Sequence, residues 1–204
     1  MRGLYAITPD TASTDALARM VSDALRGGID FLQYRNKLAG ADLRREQARM
    51  LLGMTRASKV PLIINDDVQL AAEIDADGAH VGRDDGEVAT ARRALPGKLL
   101  GASCYASLEA ARAAVADGAD HVAFGSMFSS STKPGAARAP LGILAQARTL
   151  GVPLVAIGGI TPDNAALALA AGADCVAVIS DLFSAPDIAA RAALYRRIFE
   201  KLPA

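Results

Sequence analysis

The chain has 204 residues, with 22 Lys plus Arg against 22 Asp plus Glu, so no global charge points to nucleic acid or a membrane surface and any anion site has to be local. That length suits one domain with a sizeable core and sits near the lower limit of roughly 200 residues for an eight-stranded α/β barrel. Cys104 and Cys175 lack CxxC spacing and read as reduced thiols, the N-terminus shows no signal-peptide pattern, and no apolar run nears the ~18 residues of a membrane span, which together point to a cytoplasmic protein.

In chain order, the pattern predicts eight βα units. Strands are expected near 3–7, 30–35, 61–65, 79–82, 99–103, 121–125, 153–157 and 175–179, and helices near 14–26, 40–57, 67–75, 87–94, 107–117, 141–150, 162–171 and 186–200. The strands are short and almost wholly apolar, as strands covered on both faces should be. Helix 40–57 carries a one-sided stripe of Leu43, Ala48, Leu51 and Leu52. Thr161-Pro162 reads as an N-cap followed by an N1 proline, Ser107 precedes Leu108-Glu109, and Ser184 precedes Pro186-Asp187. One small unit recurs as Gly28-Ile29-Asp30-Phe31, Gly78-Ala79-His80-Val81, Gly118-Ala119-Asp120-His121 and Gly172-Ala173-Asp174-Cys175. Its glycine fits the left-handed residue that ends a helix, and the residues after it start a strand. Repeated βα units without a GxGxxG after the first strand favour a single-domain (β/α)8 TIM barrel over residues 1–204, rather than an open doubly wound sheet.

Polar residues gather after the apolar runs, and in a parallel barrel those strand ends share the face that carries chemistry. Gln33, Arg35 and Lys37 alternate, so period two puts an amide and two cations on one side, either for a polyanion or as a solvated strand end. Asn65 and Asp66 follow the third run, and Asp84 and Asp85 the fourth. Asp66 and Asp85 are the candidate Mg²⁺ ligands, with helix capping as the alternative; Asp67 opens a helix and reads as structural. Ser103 ends the fifth run. Ser130, Ser131, Thr132 and Lys133 bring hydroxyls and a cation suited to phosphate, or make a plain polar loop. Gly158-Gly159 before Thr161-Pro162, with Ile179-Ser180 after the last strand, suits a phosphate bound by backbone N–H groups, a tight turn being the other reading. His80 and His121 are read as structural residues at strand starts away from the mouth, and Cys104 has no histidine placed to activate it.

In this order, five segments resemble the thiamine-phosphate synthase family: Gln33-Tyr34-Arg35-Asn36-Lys37, Ile64-Asn65-Asp66-Asp67, His80-Val81-Gly82-Arg83-Asp84-Asp85, Ser131-Thr132-Lys133 and Ile157-Gly158-Gly159-Ile160. The resemblance implies a (β/α)8 transferase that joins hydroxymethylpyrimidine diphosphate to hydroxyethylthiazole phosphate, or its carboxylated form, giving thiamine phosphate and pyrophosphate. Carried over by motif, Gln33, Tyr34, Arg35, Asn36, Lys37, Asn65, Ser103 and Lys133 would hold the pyrimidine diphosphate. Asp66 and Asp85 would hold Mg²⁺, and Ser130, Thr132, Gly159, Ile179 and Ser180 the thiazole phosphate, with Ser131 a further substrate-binding residue. Lys133, Arg35, Lys37 and Ser103 would carry catalysis by stabilising the departing pyrophosphate. The implied partners are two phosphorylated small molecules, without nucleic acid or membrane, in a chain compatible with a homo-oligomer.

The sequence departs from the family pattern at three places. Arg83 stands where the family usually has Gln, Ser130 replaces the usual Thr, and Gly125-Ser126-Met127-Phe128 replaces a Gly-Pro sequence. The rival readings are a thiazole tautomerase, whose strand-six-loop His is missing from Gly125-Ser126-Met127-Phe128, a sugar-phosphate aldolase or isomerase, and a non-catalytic thiazole-phosphate binder.

Overall fold

The computed structural model describes residues 1–82, 87–129 and 138–201. Eight strands close into a barrel in chain order: β1 (Gly3–Ile7), β2 (Phe31–Tyr34), β3 (Leu62–Asn65), β4 (Gly78–Val81), β5 (Leu99–Tyr105), β6 (His121–Phe124), β7 (Leu154–Ile157) and β8 (Cys175–Val178). Each pairs parallel with the next, and β8 returns to β1 with Cys175 opposite Gly3. Period two divides the strand residues. Tyr5, Ile7, Ile63, Ala123, Val155, Cys175 and Ala177 fill the barrel, while Leu4, Leu62, Val122, Leu154 and Val176 pack under the helices.

The helices are α1 (Thr14–Gly27), α2 (Ala41–Ser58), α3 (Val68–Glu73), α4 (Val88–Ala94), α5 (Leu108–Ala116), α6 (Gly142–Ala147), α7 (Pro162–Ala170), α8 (Ser180–Phe183) and α9 (Ile188–Lys201). A 3-10 turn over Arg148–Leu150 completes the predicted segment 141–150. Side chains cap several starts: Ser13 accepts from the Ala16 N–H, Asp67 from Leu70 and Ser107 from Ala110. At α7, Thr161 and Asn164 form a capping box ahead of Pro162. The expected cap Ser184 is corrected: Asp187 caps α9, its Oδ1 accepting from the Ala190 N–H at 2.8 Å, and Ser184 instead ends α8. That four-residue helix is too short to leave a periodic signal, so it was not expected.

The recurring αβ joint is real, but one copy shifts register. Gly28, Gly118 and Gly172 have φ of 89°, 99° and 116°, whereas Gly78 lies inside β4 and the left-handed residue there is Asp75, φ 57°. Aligned on that residue, the second copy is Asp75-Ala76-Asp77. Gly78 answers a different need, because a Cβ there would fall 2.0 Å from the Leu99 carbonyl oxygen. The aspartate two places on then does the same work in all four copies. Asp30, Asp77, Asp120 and Asp174 each accept a 2.8 Å hydrogen bond from a backbone N–H at the start of the preceding odd strand, at Leu4, Leu62, Leu100 and Leu154. Each aspartate N–H returns a bond to the carbonyl of that same leucine. Four reciprocal clamps thus join the odd strands to the even ones at the N-terminal end of the barrel, leaving the C-terminal rim for chemistry.

Candidate functional site at the barrel mouth

The C-terminal rim is built first by β1 and β2. Thr8 Oγ1 accepts from the Arg35 N–H and donates to the Arg35 carbonyl, both at 2.9 Å, so it locks the end of β2 onto β1. Asp10 then braces the loop: its Oδ2 lies 2.9 Å from Arg35 Nη1 and its Oδ1 accepts from the Lys37 N–H at 2.6 Å. Gln33 turns into the barrel, where its Nε2 donates to the Tyr5 hydroxyl at 3.0 Å. Tyr34 and Asn36 turn the other way, onto α2. There Gln47 Oε1 accepts from the Tyr34 hydroxyl at 2.8 Å and from Asn36 Nδ2 at 3.0 Å, and the Thr11 carbonyl accepts from Asn36 Nδ2 at 2.7 Å. Burial pushes the Tyr34 phenol up to about 12, which keeps it a neutral donor to Gln47. Gln33, Arg35 and Lys37 therefore lie on the mouth side while Tyr34 and Asn36 anchor the loop from behind.

Lys37 reaches across to the end of β3, its Nζ 3.1 Å from Asp66 Oδ2, in a cleft that Asn36, Arg44, Asn65 and Asp67 also line. Asp66 has a φ of 64°, in the left-handed region that L-residues enter at a cost of roughly 1–2 kcal/mol, and its N–H donates to the His80 carbonyl at 2.8 Å. This backbone kink separates two aspartates: Asp67 turns back to cap α3, and Asp66 holds its carboxylate at the rim beside a lysine. The Asp66 carboxylate is a hard oxygen donor of the kind Mg²⁺ takes, with waters and substrate phosphate completing the shell, so it fits the expected metal as one ligand. Asp85, with Arg83 and Asp84, lies outside the described residues, as do Ser130, Ser131, Thr132 and Lys133.

Ser103 stands inside the β5 end, partly exposed, with its Oγ 2.9 Å from His80 Nε2. Cys104, the next residue, turns outward into the helix-facing core, and burial pushes its thiol up to about 12, so no thiolate nucleophile forms near neutral pH. The expectation that His80 sits away from the mouth is corrected. It is the third residue of β4, not its start, and its ring lies in the barrel directly against Ser103. His121 does begin β6, and its ring lies 5.7 Å from that of His80.

The other half of the rim comes from β7 and β8. Gly158 and Gly159 have φ of 97° and 65°, and the loop after β6 crosses directly over them. The Met127 N–H donates to the Ile157 carbonyl and the Phe128 N–H to the Gly158 carbonyl, both at 2.9 Å. A Cβ at Gly159 would fall 2.2 Å from the Ser129 carbonyl oxygen. Asn164 ties this turn to α7, its Nδ2 donating to the Gly159 carbonyl and its Oδ1 accepting from the Thr161 N–H, both at 2.9 Å. Ile179 and Ser180 enter α8, whose Asp181 carboxylate is held by Arg191 at 3.1 Å and by the Tyr195 hydroxyl at 2.6 Å. The Tyr195 hydroxyl also lies 3.2 Å from the Ile160 carbonyl, so one buried phenol links the two phosphate-suited turns.

Thr8, Asp10, Gln47, Asn164 and Tyr195 are the positioning residues that sequence reasoning missed. The signal for two of them was in view, since Thr8-Pro9-Asp10 follows the first apolar run just as the other polar groups follow theirs.

Comparison with known proteins places the chain in context. The family model for thiamine monophosphate synthase (TMP-TENI) matches residues 4–182. A thiamine-phosphate synthase of Methylobacillus flagellatus is 55% identical over 98% of this chain and 96% of its own length. One of Aromatoleum aromaticum is 54% identical over 98% of this chain and 97% of its own. The solved structure of thiamine phosphate pyrophosphorylase from Pyrococcus furiosus superposes with a TM-score of 0.88 at 34% identity, covering 98% of this chain and 96% of that one.

Proposed function

The chain belongs to the thiamine monophosphate synthase family and is a transferase that releases pyrophosphate, and on that premise we propose that it joins hydroxymethylpyrimidine diphosphate to hydroxyethylthiazole phosphate to give thiamine phosphate. The observation that carries the choice of substrates is the Lys37–Asp66 pair at 3.1 Å on the rim. A cation beside a hard carboxylate suits a diphosphate arriving with a divalent metal, the lysine facing the diphosphate and the carboxylate the metal. Arg35, Lys37, Asn65 and Ser103 supply the pyrimidine-diphosphate side, with Gln33 under them and Tyr34 and Asn36 holding their loop. Lys133, outside the described residues, is assigned to the same side by motif. Gly159, Ile179 and Ser180 supply the thiazole-phosphate side, with Ser130, Ser131 and Thr132.

The reaction is read as dissociative. The bond between the pyrimidine methylene and the diphosphate oxygen breaks, and its electron pair leaves with pyrophosphate. The thiazole nitrogen then uses its lone pair to form the new carbon–nitrogen bond. No proton has to move, so the residues required are charge stabilisers, not a base. Asp66 and Asp85 would hold Mg²⁺, which when bound supplies charge neutralisation to the diphosphate. Arg35, Lys37 and Lys133 stabilise the oxygen that gains charge, an effect worth about 3 kcal/mol per contact by analogy with oxyanion-hole donors. The β7 and β8 turns hold the thiazole close enough to capture the cation. A sugar-phosphate aldolase or isomerase would want a base or a Schiff-base lysine at a strand end, whereas Lys37 lies in the loop beyond β2.

Calorimetry with each substrate alone tests this reading. Hydroxymethylpyrimidine diphosphate should bind far more tightly with Mg²⁺ than with chelator, whereas hydroxyethylthiazole phosphate should bind equally in both. Thiazole phosphate binding with no diphosphate binding under either condition would overturn it in favour of an isomerase or a regulatory binder.

A further inference from the structure

A polar layer crosses the barrel just beneath the mouth. Gln33 donates to the Tyr5 hydroxyl, the Tyr5 ring meets the His121 ring edge-on at 6.1 Å, His121 lies 5.7 Å from His80, and His80 Nε2 meets Ser103 Oγ at 2.9 Å. Room for two imidazoles comes from Gly101, where a Cβ would fall 2.3 Å from both His80 Nδ1 and His121 Nε2. His80 is 6% exposed and His121 1%, and neither ring nitrogen of His121 has a hydrogen-bond partner among the described residues. Burial next to His80 lowers the His121 pKa to about 3, so this ring is a neutral wall behind His80. Packing alone would be met more cheaply by an apolar side chain, because a buried imidazole costs desolvation. What the His80 imidazole adds is a hydrogen bond to Ser103, a hydroxyl near the C-terminal end of β5.

The direction of that bond decides what Ser103 offers. A hydroxyl has one proton and two lone pairs. If Ser103 gave its proton to His80, only lone pairs would face the mouth, and these repel a phosphate oxygen. If His80 donates from Nε2, the Ser103 proton remains for the ligand. We propose that His80 is a positioning residue that donates from Nε2 to Ser103 Oγ and so holds the Ser103 O–H toward an oxygen of the substrate diphosphate. This rests on the mouth being a diphosphate site.

Two measurements test it. Long-range nitrogen–proton NMR on the ¹⁵N-labelled wild-type protein near neutral pH should find His80 protonated at Nε2; an unprotonated Nε2 would overturn the proposal, whether or not any variant folds. In steady-state kinetics, His80→Leu should raise the KM for hydroxymethylpyrimidine diphosphate about tenfold while leaving that for thiazole phosphate nearly unchanged. His80→Gln, whose amide N–H can stand in for Nε2–H, should recover most of the loss. In a Ser103→Ala background, His80→Leu should add nothing, and an undiminished effect there would show a merely structural role and sink the idea. Wild-type protein that releases no pyrophosphate would instead count against the functional reading, while the NMR result would still decide the direction of the bond.

Discussion

Asp66 pays for its place at the rim with backbone strain. Its φ of 64° is tolerated by Asp and Asn better than by other side chains, so Asp66→Asn keeps the backbone and removes only the charge. The Lys37 partner is about half exposed, and such a pair contributes at most about 1 kcal/mol to stability. Asp66→Asn is therefore expected to leave the melting temperature within a few degrees of wild type while cutting turnover by about 100-fold, with partial recovery at high Mg²⁺. Melting curves and a Mg²⁺ titration of rate check both halves. A different residue sets the acid limit. His121 has its pKa lowered to about 3 by burial, against 6.5 for the unfolded chain, so between those values the unfolded state binds the extra proton. Stability is lost as pH falls through that window, by roughly 5 kcal/mol at its lower end at 1.36 kcal/mol per pKa unit. Urea unfolding at pH 7 and 4.5 should show His121→Gln losing about 2–3 kcal/mol less than wild type over that step; equal losses would contradict the assignment. At this scale the sequence displayed Gln33, Arg35 and Lys37 by alternation alone. Gln47 and His80 were illegible as site supports, because the partners that define them lie 11 to 36 residues away in the chain.

The elements meet through repeated devices, and the aspartate clamp is the clearest. Among the described residues the Asp77 carboxylate serves the Leu62 N–H alone, whereas Asp120 and Asp174 also pair with Arg92 and Arg148. Asp77→Ala should thus cost about 1–3 kcal/mol by leaving a strand-end N–H unsatisfied, Asp77→Asn less, and neither should change the rate per folded molecule, since the clamp lies at the end of the barrel opposite the mouth. Chemical unfolding paired with active-site-normalised rates reads this out. The recurring motif revealed the repeat, but the register of its second copy was hidden. A glycine that prevents collision with the Leu99 carbonyl looks, in sequence, the same as a glycine that ends a helix. At the opposite rim, Asn164 links α7 to the Gly159 turn, so Asn164→Ala should raise the KM for thiazole phosphate about tenfold with a smaller effect on the diphosphate. Equal effects on both would detach this asparagine from the phosphate turn.

The whole molecule divides its labour by ends and by halves. Clamps at the N-terminal end and a filled interior make the barrel rigid, and the C-terminal rim is left to two groups of turns. The β2–β3 side pairs Lys37 with Asp66 in a cleft that Asn65 also lines, and the β7–β8 side brings two left-handed glycines and the entry to α8. Eight alternating units were legible because short apolar strands and one-sided helices leave strong periodic signals. The four-residue α8 left none, and the residues that organise the rim from behind became visible only once the barrel closed. We propose that these two sides bring a metal-bound diphosphate and a second phosphate ester into one reaction. The most direct measurement is pyrophosphate release on mixing hydroxymethylpyrimidine diphosphate and hydroxyethylthiazole phosphate, with Mg²⁺ and with chelator. Release that requires both substrates and the metal, with thiamine phosphate as product, is the predicted result; release that ignores the thiazole phosphate, or none at all while the thiazole phosphate still binds, would contradict it.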